Sequence, residues 1–177
     1  ALLATLATSS LSYASSDFLQ IKEMLARPGV KLVAGDVYAT YCEPCMKAMP
    51  KWKALRDKYY DQGLRVVMVH TLDPTQVCGA GVQGKGIADE IVCDAEGLNG
   101  KWLQVNDEIP AAFLWSWQGN MLVKKGHVKE VDKAIGSYFR TLPRVEISAK
   151  DRSGKHDADL LNLLKNELNR TAKIVVV

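Results

Sequence analysis

Long apolar runs are missing from this chain. No stretch approaches the roughly 18–20 consecutive apolar residues of a membrane-spanning helix. Cysteine is sparse, with four in 177 residues, and Cys78 and Cys93 do not repeat the Cys-x-x-Cys spacing of Cys42 and Cys45. A structural zinc site takes four ligands, and the three histidines, His70, His127 and His156, show no ligand spacing near the cysteines. Charge of one sign is also short: 23 Lys and Arg stand against 20 Asp and Glu, a net +3. So small and scattered an excess gives no footing to a nucleic-acid partner. Repeats, low-complexity tracts and a peroxide-activating Thr/Cys/Arg constellation are absent from the sequence. What is present is ordinary globular composition, 47% hydrophobic and 24% charged, which excludes disorder of the whole chain. The length accommodates one domain of common size plus a fragment of another.

Residues 1–16, ALLATLATSSLSYASS, carry no charge and pass from a Leu/Ala run into small residues. They read as the tail of a secretory signal with Ser12-Tyr13-Ala14 as a small-x-small cleavage pattern, or as a Ser-rich extension. No cysteine follows the run to carry a lipoprotein anchor there. A preceding segment could still hold the protein near a membrane. An even cysteine count fits export to a periplasmic or other envelope compartment where disulfides persist.

The informative stretch is residues 35–50, GDVYATYCEPCMKAMP. An apolar run from Val30 to Tyr38 predicts a core strand, and good helix formers then continue to about Asp61. Strand, turn and a helix opening on Cys42-Glu43-Pro44-Cys45 is the arrangement of a dithiol redox centre. Cysteines three apart on a first helical turn share a face, within the about 4.4–6.8 Å Cα separation that a disulfide tolerates. Cys42 meets the unpaired N–H groups and positive dipole end of the helix, which favour a thiolate. It is therefore the attacking sulfur, and Cys45 the resolving one. Pro44 suits the first turn, whereas Pro50 removes a hydrogen bond inside the helix and predicts a kink.

Elsewhere, Phe18, Ile21, Met24 and Leu25 predict a helix over Asp17–Ala26, stopped by Pro28-Gly29. Leu64–Val69 is a second strand, residues 72–90 a loop with one short helix, Glu90–Cys93 a short strand, and Glu96–Val105 a short helix. Ala111–Trp117 and Met121–Lys125 make a hairpin over Gln118-Gly119-Asn120. Lys129–Arg140 is a closing amphipathic helix, and Lys124, Lys125 and Lys129 read as a solvated face. After a linker at Thr141–Pro143 come a strand at Arg144–Lys150, a Leu160/Leu161/Leu164/Leu168 helix and the apolar Ile174–Val177. Such a piece is too small to bury its own core and reads as the opening of a longer α/β domain. The domains are then 1–16, 17–140 and 141–177.

These motifs resemble the thioredoxin superfamily, and within it the TlpA/ResA-like thiol–disulfide oxidoreductases. The matches are Asp36, Tyr38, Ala39-Thr40-Tyr41 before CEPC, Pro50, Ile109-Pro110 before a strand, and Gly119-Asn120. Thioredoxins usually carry tryptophan where Tyr38 and Tyr41 stand, and TlpA-like proteins a Glu where Ala48 stands. The resemblance implies an α/β thioredoxin-like fold with a mixed central sheet flanked by helices, followed here by the partial β-α-β piece. It implies a cis Ile109–Pro110 bond against the disulfide, with the Ile109 backbone pairing with an extended client segment. Tyr41, Glu43 and Pro44 would be further substrate contacts. Asp36 would be the buried acid that passes a proton to or from Cys45, and Asp73 an auxiliary acid near the thiols. Cys78 and Cys93 are left either bonded to each other or separately buried. Trp52, Trp102, Trp115 and Trp117 read as packing or groove walls.

The expected activity is reduction of protein disulfides, with the redox-active disulfide itself in place of any cofactor or metal. Clients such as apocytochromes c or copper-site proteins and a membrane thiol electron donor are the partners the resemblance implies. A thiol-based copper or zinc chaperone and a redox-inactive interaction module are the alternatives. The first would bind metal stoichiometrically; the second would tolerate loss of Cys42.

Overall fold

The computed structural model describes residues 16–71, 73, 77–94, 108–145, 157–171 and 175–176. It begins with helix Ser16–Ala26 (α1), strand Leu32–Tyr38 (β1) and helix Glu43–Tyr59 (α2), which tightens into a 3-10 turn at Tyr60–Gln62. Strands Leu64–Thr71 (β2), Glu90–Asp94 (β3), Ala111–Ser116 (β4) and Met121–Gly126 (β5) follow, then helix Val128–Thr141 (α3). Strand Arg144–Val145 (β6), helix Ala158–Thr171 (α4) and strand Val175–Val176 (β7) complete it. The expected helix at Glu96–Val105, the signal-like residues 1–15 and most of the Arg144–Lys150 strand lie outside the described residues.

β1 is buried at every position, as its apolar run demands of a central strand. It pairs in parallel with β2 and antiparallel with β4, and the sheet order is β3-β2-β1-β4-β5. This is the mixed sheet flanked by helices that the resemblance implies. The two-residue alternation of β1 feeds two cores. Leu32, Ala34 and Tyr38 join Trp52 and Leu55 of α2 and Val131 and Ile135 of α3. Val33 and Val37 face the opposite core with Ile21 and Met24 of α1.

α2 turns Cys45, Met49, Trp52, Leu55 and Tyr59 inward at three- and four-residue spacing, each large apolar one contributing roughly 1.5–3 kcal/mol. It is continuous through Pro50 and ends where Gly63, at φ 100°, takes the left-handed cap conformation. The chain then reaches β1 through a shared acceptor: Lys31 and Leu32 N–H groups donate to the Gly63 carbonyl at 2.8 and 3.2 Å. That is why β1 starts at Leu32 rather than Val30. Arg56 of α2 donates to Asp89 at 2.9 and 2.6 Å, and Asp89 accepts from Val66 N–H at 2.8 Å, which ties the helix to β2.

β6 and β7 form a separate parallel pair. Along the leucine stripe of α4, Leu160 and Leu164 remain exposed and Leu161 and Leu168 are half-buried.

Gly35, in the middle of β1, has no room for a Cβ, which would run into the Val67 carbonyl and the Phe113 ring. Gly35→Ala is expected to lower stability by about 3 kcal/mol, measured as a reduced urea midpoint with an unchanged m-value.

Candidate active site

Cys42 caps the N-terminus of α2, with Glu43 and Pro44 in the first turn. Cys42 and Cys45 form a disulfide across a Cα separation of 5.3 Å. The Cys45 N–H donates to Cys42 Sγ at 3.2 Å, one of the orphan amides of the helix start now aimed at that sulfur. Cys42 retains 7% exposure and Cys45 none, so Cys42 is the more accessible of the two. Tyr41 beside it is 65% exposed. Glu43 is exposed and paired with Lys47 one turn on.

Behind this turn lies Asp36, 2% exposed. Its Oδ2 accepts from the Trp52 indole N–H at 3.0 Å, while Oδ1 finds no hydrogen-bond partner among the described residues. Burial pushes this carboxyl up to about 7, against the Trp52 hydrogen bond and the nearby Ala111 and Val37 amides, which pull it down. Since Trp52 lies on the inward face of α2 with Cys45, Asp36 points from the sheet toward the helix that carries the disulfide. The Ile109–Pro110 peptide bond is cis. Asp36, Pro44 and Pro110 line one cleft of about 570 Å³, and Ile109 packs against both cores beside it.

Asp73 meets the active-site turn at Thr40 and does not line the Asp36 cleft. Its carboxylate accepts from the Thr40 N–H at 3.3 Å and from the Thr40 hydroxyl. Those bonds, and His70 beside it, hold the carboxyl below its usual range. His70 is tied to three separate segments. Its ring stacks on Tyr38 at 4.8 Å, Nδ1 accepts from Gly79 N–H at 3.1 Å, and Nε2 lies 3.5 Å from Asp73. Burial, with Asp73 second, raises Tyr38 to about 12, and its hydroxyl donates to the Ala80 carbonyl at 3.2 Å.

Cys78 and Cys93 are bonded, with a Cα separation of 5.6 Å, and all four cysteines are thus paired. This bridge joins the 77–87 loop to β3, and Val82 and Ile87 of the loop enter the same core as Cys42 and Cys45. Among the described residues no group of three or more His, Cys, Asp or Glu side chains is arranged to hold a metal ion. Nor is any helix long and apolar enough to cross a membrane, among those same residues.

Sequence reasoning read Trp52 as packing and missed its bond to Asp36. The available signal was its seven-residue distance from Cys45, two helical turns along the same face. It also passed over Lys47 and Lys51, and read Lys129 as solvated. All three line the Asp36 cleft, and no local pattern marks a groove shared by two helices.

Fold and site together define a thioredoxin-like protein with a Cys-x-x-Cys disulfide at a helix N-terminus. No family model matches the chain. Among curated proteins it is similar to the thiol-disulfide oxidoreductase ResA of Halalkalibacterium halodurans, 34% identical over 62 residues. That stretch covers 35% of this chain and 35% of the relative, so the match spans about a third of each. Among solved structures it is similar to a Chlorobium tepidum protein assigned as thiol:disulfide interchange protein DsbE. The TM-score is 0.50 at 21% identity, over 67% of this chain and 83% of that one. A thiol:disulfide interchange protein from Bacteroides sp. gives 0.50 at 15% identity, over 66% and 76%. The fold is thioredoxin-like, and the TlpA/ResA resemblance read from the motifs recurs in the ResA match.

Two expectations follow. The unfolded Asp36 carboxyl ionises near 3.8 and the folded one near 7, so between those values the unfolded chain binds fewer protons and stability falls as pH rises. At 1.36 kcal/mol per pH unit, Asp36→Asn should be more stable than the parent by roughly 2–4 kcal/mol at pH 8. The difference should vanish near pH 4, as followed by urea unfolding across that range. Separately, replacing Cys78 and Cys93 together by Ser should cost about 2–4 kcal/mol, read as a lower thermal midpoint with the Cys42–Cys45 pair still able to form.

Proposed function

We propose that this chain is an exported thiol–disulfide oxidoreductase that runs as a reductase of protein disulfides. The observation that carries the reading is the pairing of a helix-capping Cys42–Cys45 disulfide with a buried carboxyl raised to about 7. In the reduced protein the Cys42 thiolate attacks one sulfur of a client disulfide. A Cys42–client bond forms, and the second client sulfur leaves as a thiolate and takes a proton. Asp36 accepts the Cys45 proton, and Cys45 then attacks Cys42 Sγ. The remaining client thiol departs, the Cys42–Cys45 bond closes, and two electrons have passed to the client. A membrane thiol donor restores the dithiol, the Ile109 backbone offers a strand edge to the client, and Tyr41 and Pro44 flank the Cys42 sulfur.

Magnitudes favour the reducing direction. A DsbA-like oxidant lies about 150 mV above thioredoxin, roughly 7 kcal/mol. A helix terminus supplies at most about 2 kcal/mol to a favourable charge, and Glu43 adds an anion whose partner is Lys47. Four paired cysteines fit an oxidising compartment. Apocytochromes c and copper-site proteins are the client classes that accord with the resemblance.

The test is insulin reduction coupled to trapping. Wild type should reduce insulin, Cys42→Ser should be inactive, and Cys45→Ser should retain clients on Cys42 as mixed disulfides. Asp36→Asn should slow their release by about tenfold or more. The potential should fall nearer about −270 mV than about −120 mV. Reversible two-electron chemistry absent from the pair, with stoichiometric metal bound instead, would replace this reading by a metal chaperone.

A further inference from the structure

The cleft at Asp36 and Pro110 does not end there. A second cleft of about 240 Å³ adjoins it between α2 and α3, and Lys51, Val128 and Lys129 line both. Together they make one groove, with Ala48, Leu55 and Val128 as apolar lining and lysines from both helices. Two of these lysines are already engaged: Lys47 with Glu43, and Lys58 with Asp132 at 3.0 Å. Asp132 also accepts from the Tyr59 hydroxyl at 3.0 Å, so that acid is committed to the helix–helix contact. Lys51 of α2 and Lys129 of α3 have no ion-pair partner among the described residues. The acids left facing the groove are Glu130 and the buried Asp36. Pro44 and Lys58 are fourteen residues apart on α2, about 21 Å at 1.5 Å per residue, the reach of about six extended residues.

Resting on the exchange reaction above, we propose that this groove selects client segments that are extended and acidic. A carboxylate about three residues from the attacked cysteine would lie between Lys51 and Lys129, since Lys51 is about 10 Å along the helix from Pro44. The apolar lining accepts the intervening side chains, and the charge match speeds encounter more than it deepens binding.

The experiment compares three disulfide-bonded peptides with the reduced full chain, carrying Glu, Gln or Lys three residues to either side of the cysteine. The second-order rate of Cys42 attack should rank Glu over Gln over Lys, about fivefold at each step at low salt. The ranking should collapse toward unity in 0.5 M salt. Lys51→Glu with Lys129→Glu, checked for an unchanged melting temperature, should invert it. Equal rates for the three peptides, or a ranking that the double variant preserves, overturn the proposal. Calorimetry of a cysteine-free acidic peptide against the oxidised chain separates the two readings. Binding without any exchange by the reduced chain keeps the groove and ends the reductase reading. Exchange without binding or ranking does the reverse.

Discussion

Asp36 sits in a strand buried along its whole length, with one oxygen on the Trp52 indole and the other without a hydrogen-bond partner among the described residues. An ionised carboxylate in that position would forgo water for a single side-chain hydrogen bond, and so the group holds its proton up to about neutral pH. A fold built only for stability would place an apolar residue there. Its neighbours show how narrow the position is: Gly35 before it leaves no space for a methyl, and Tyr38 after it is fully buried under the 77–87 loop. The strand cannot slide by one residue without turning the carboxyl to the α1 face. The register with Met68 and Ala112 is therefore also what aims the acid at α2.

The charges around the disulfide divide by depth. Near the sulfur, the stabilising influences are one amide N–H and the helix end, both neutral groups with partial charge. Farther out, the lysines of α2 and α3 line a groove that opens on the same cleft. A cation hydrogen-bonded to the sulfur would lower its pKa strongly and make the disulfide a stronger oxidant. Lys47, the nearest of the lysines along α2, is paired with Glu43, and Lys51 stands about 10 Å along the helix from Pro44, about a Debye length, so its field at the sulfur is largely screened. They act on what arrives more than on the thiolate itself. On the proposed exchange reaction, this separation lets client choice change without moving the potential.

Much of this arrangement was legible in the sequence because it is written in local periods. The apolar run of β1, the helix that opens on Cys42 and continues to about Asp61, and the Gly119-Asn120 hairpin each follow from neighbours a few residues apart. What escaped reading is contact between distant elements. Trp52 finds Asp36 sixteen residues away, and His70 meets Tyr38, Gly79 and Asp73 from three separate segments. The Cys78–Cys93 bond was an open alternative for the same reason: spacing permits it, but only the parallel pairing of β2 with β3, which sets Cys93 beside His70, brings the loop within reach.

That last contact links the two disulfides through ordinary packing. Gly79 follows Cys78 and donates to His70, whose ring covers Tyr38; Asp73, next to His70, holds Thr40 two residues before Cys42. His70 accepts from Gly79 through an unprotonated Nδ1, so in this arrangement the ring carries its N–H on Nε2, the nitrogen nearest Asp73. Asp73 in turn carries its negative charge readily, because Thr40 offers it two donors. The active-site turn thus has an ionised acid bonded to it at Thr40 and, behind it, a carboxyl that holds its proton up to about neutral pH. Two carboxyls within one small site keep opposite protonation habits because one is given donors and the other is denied water.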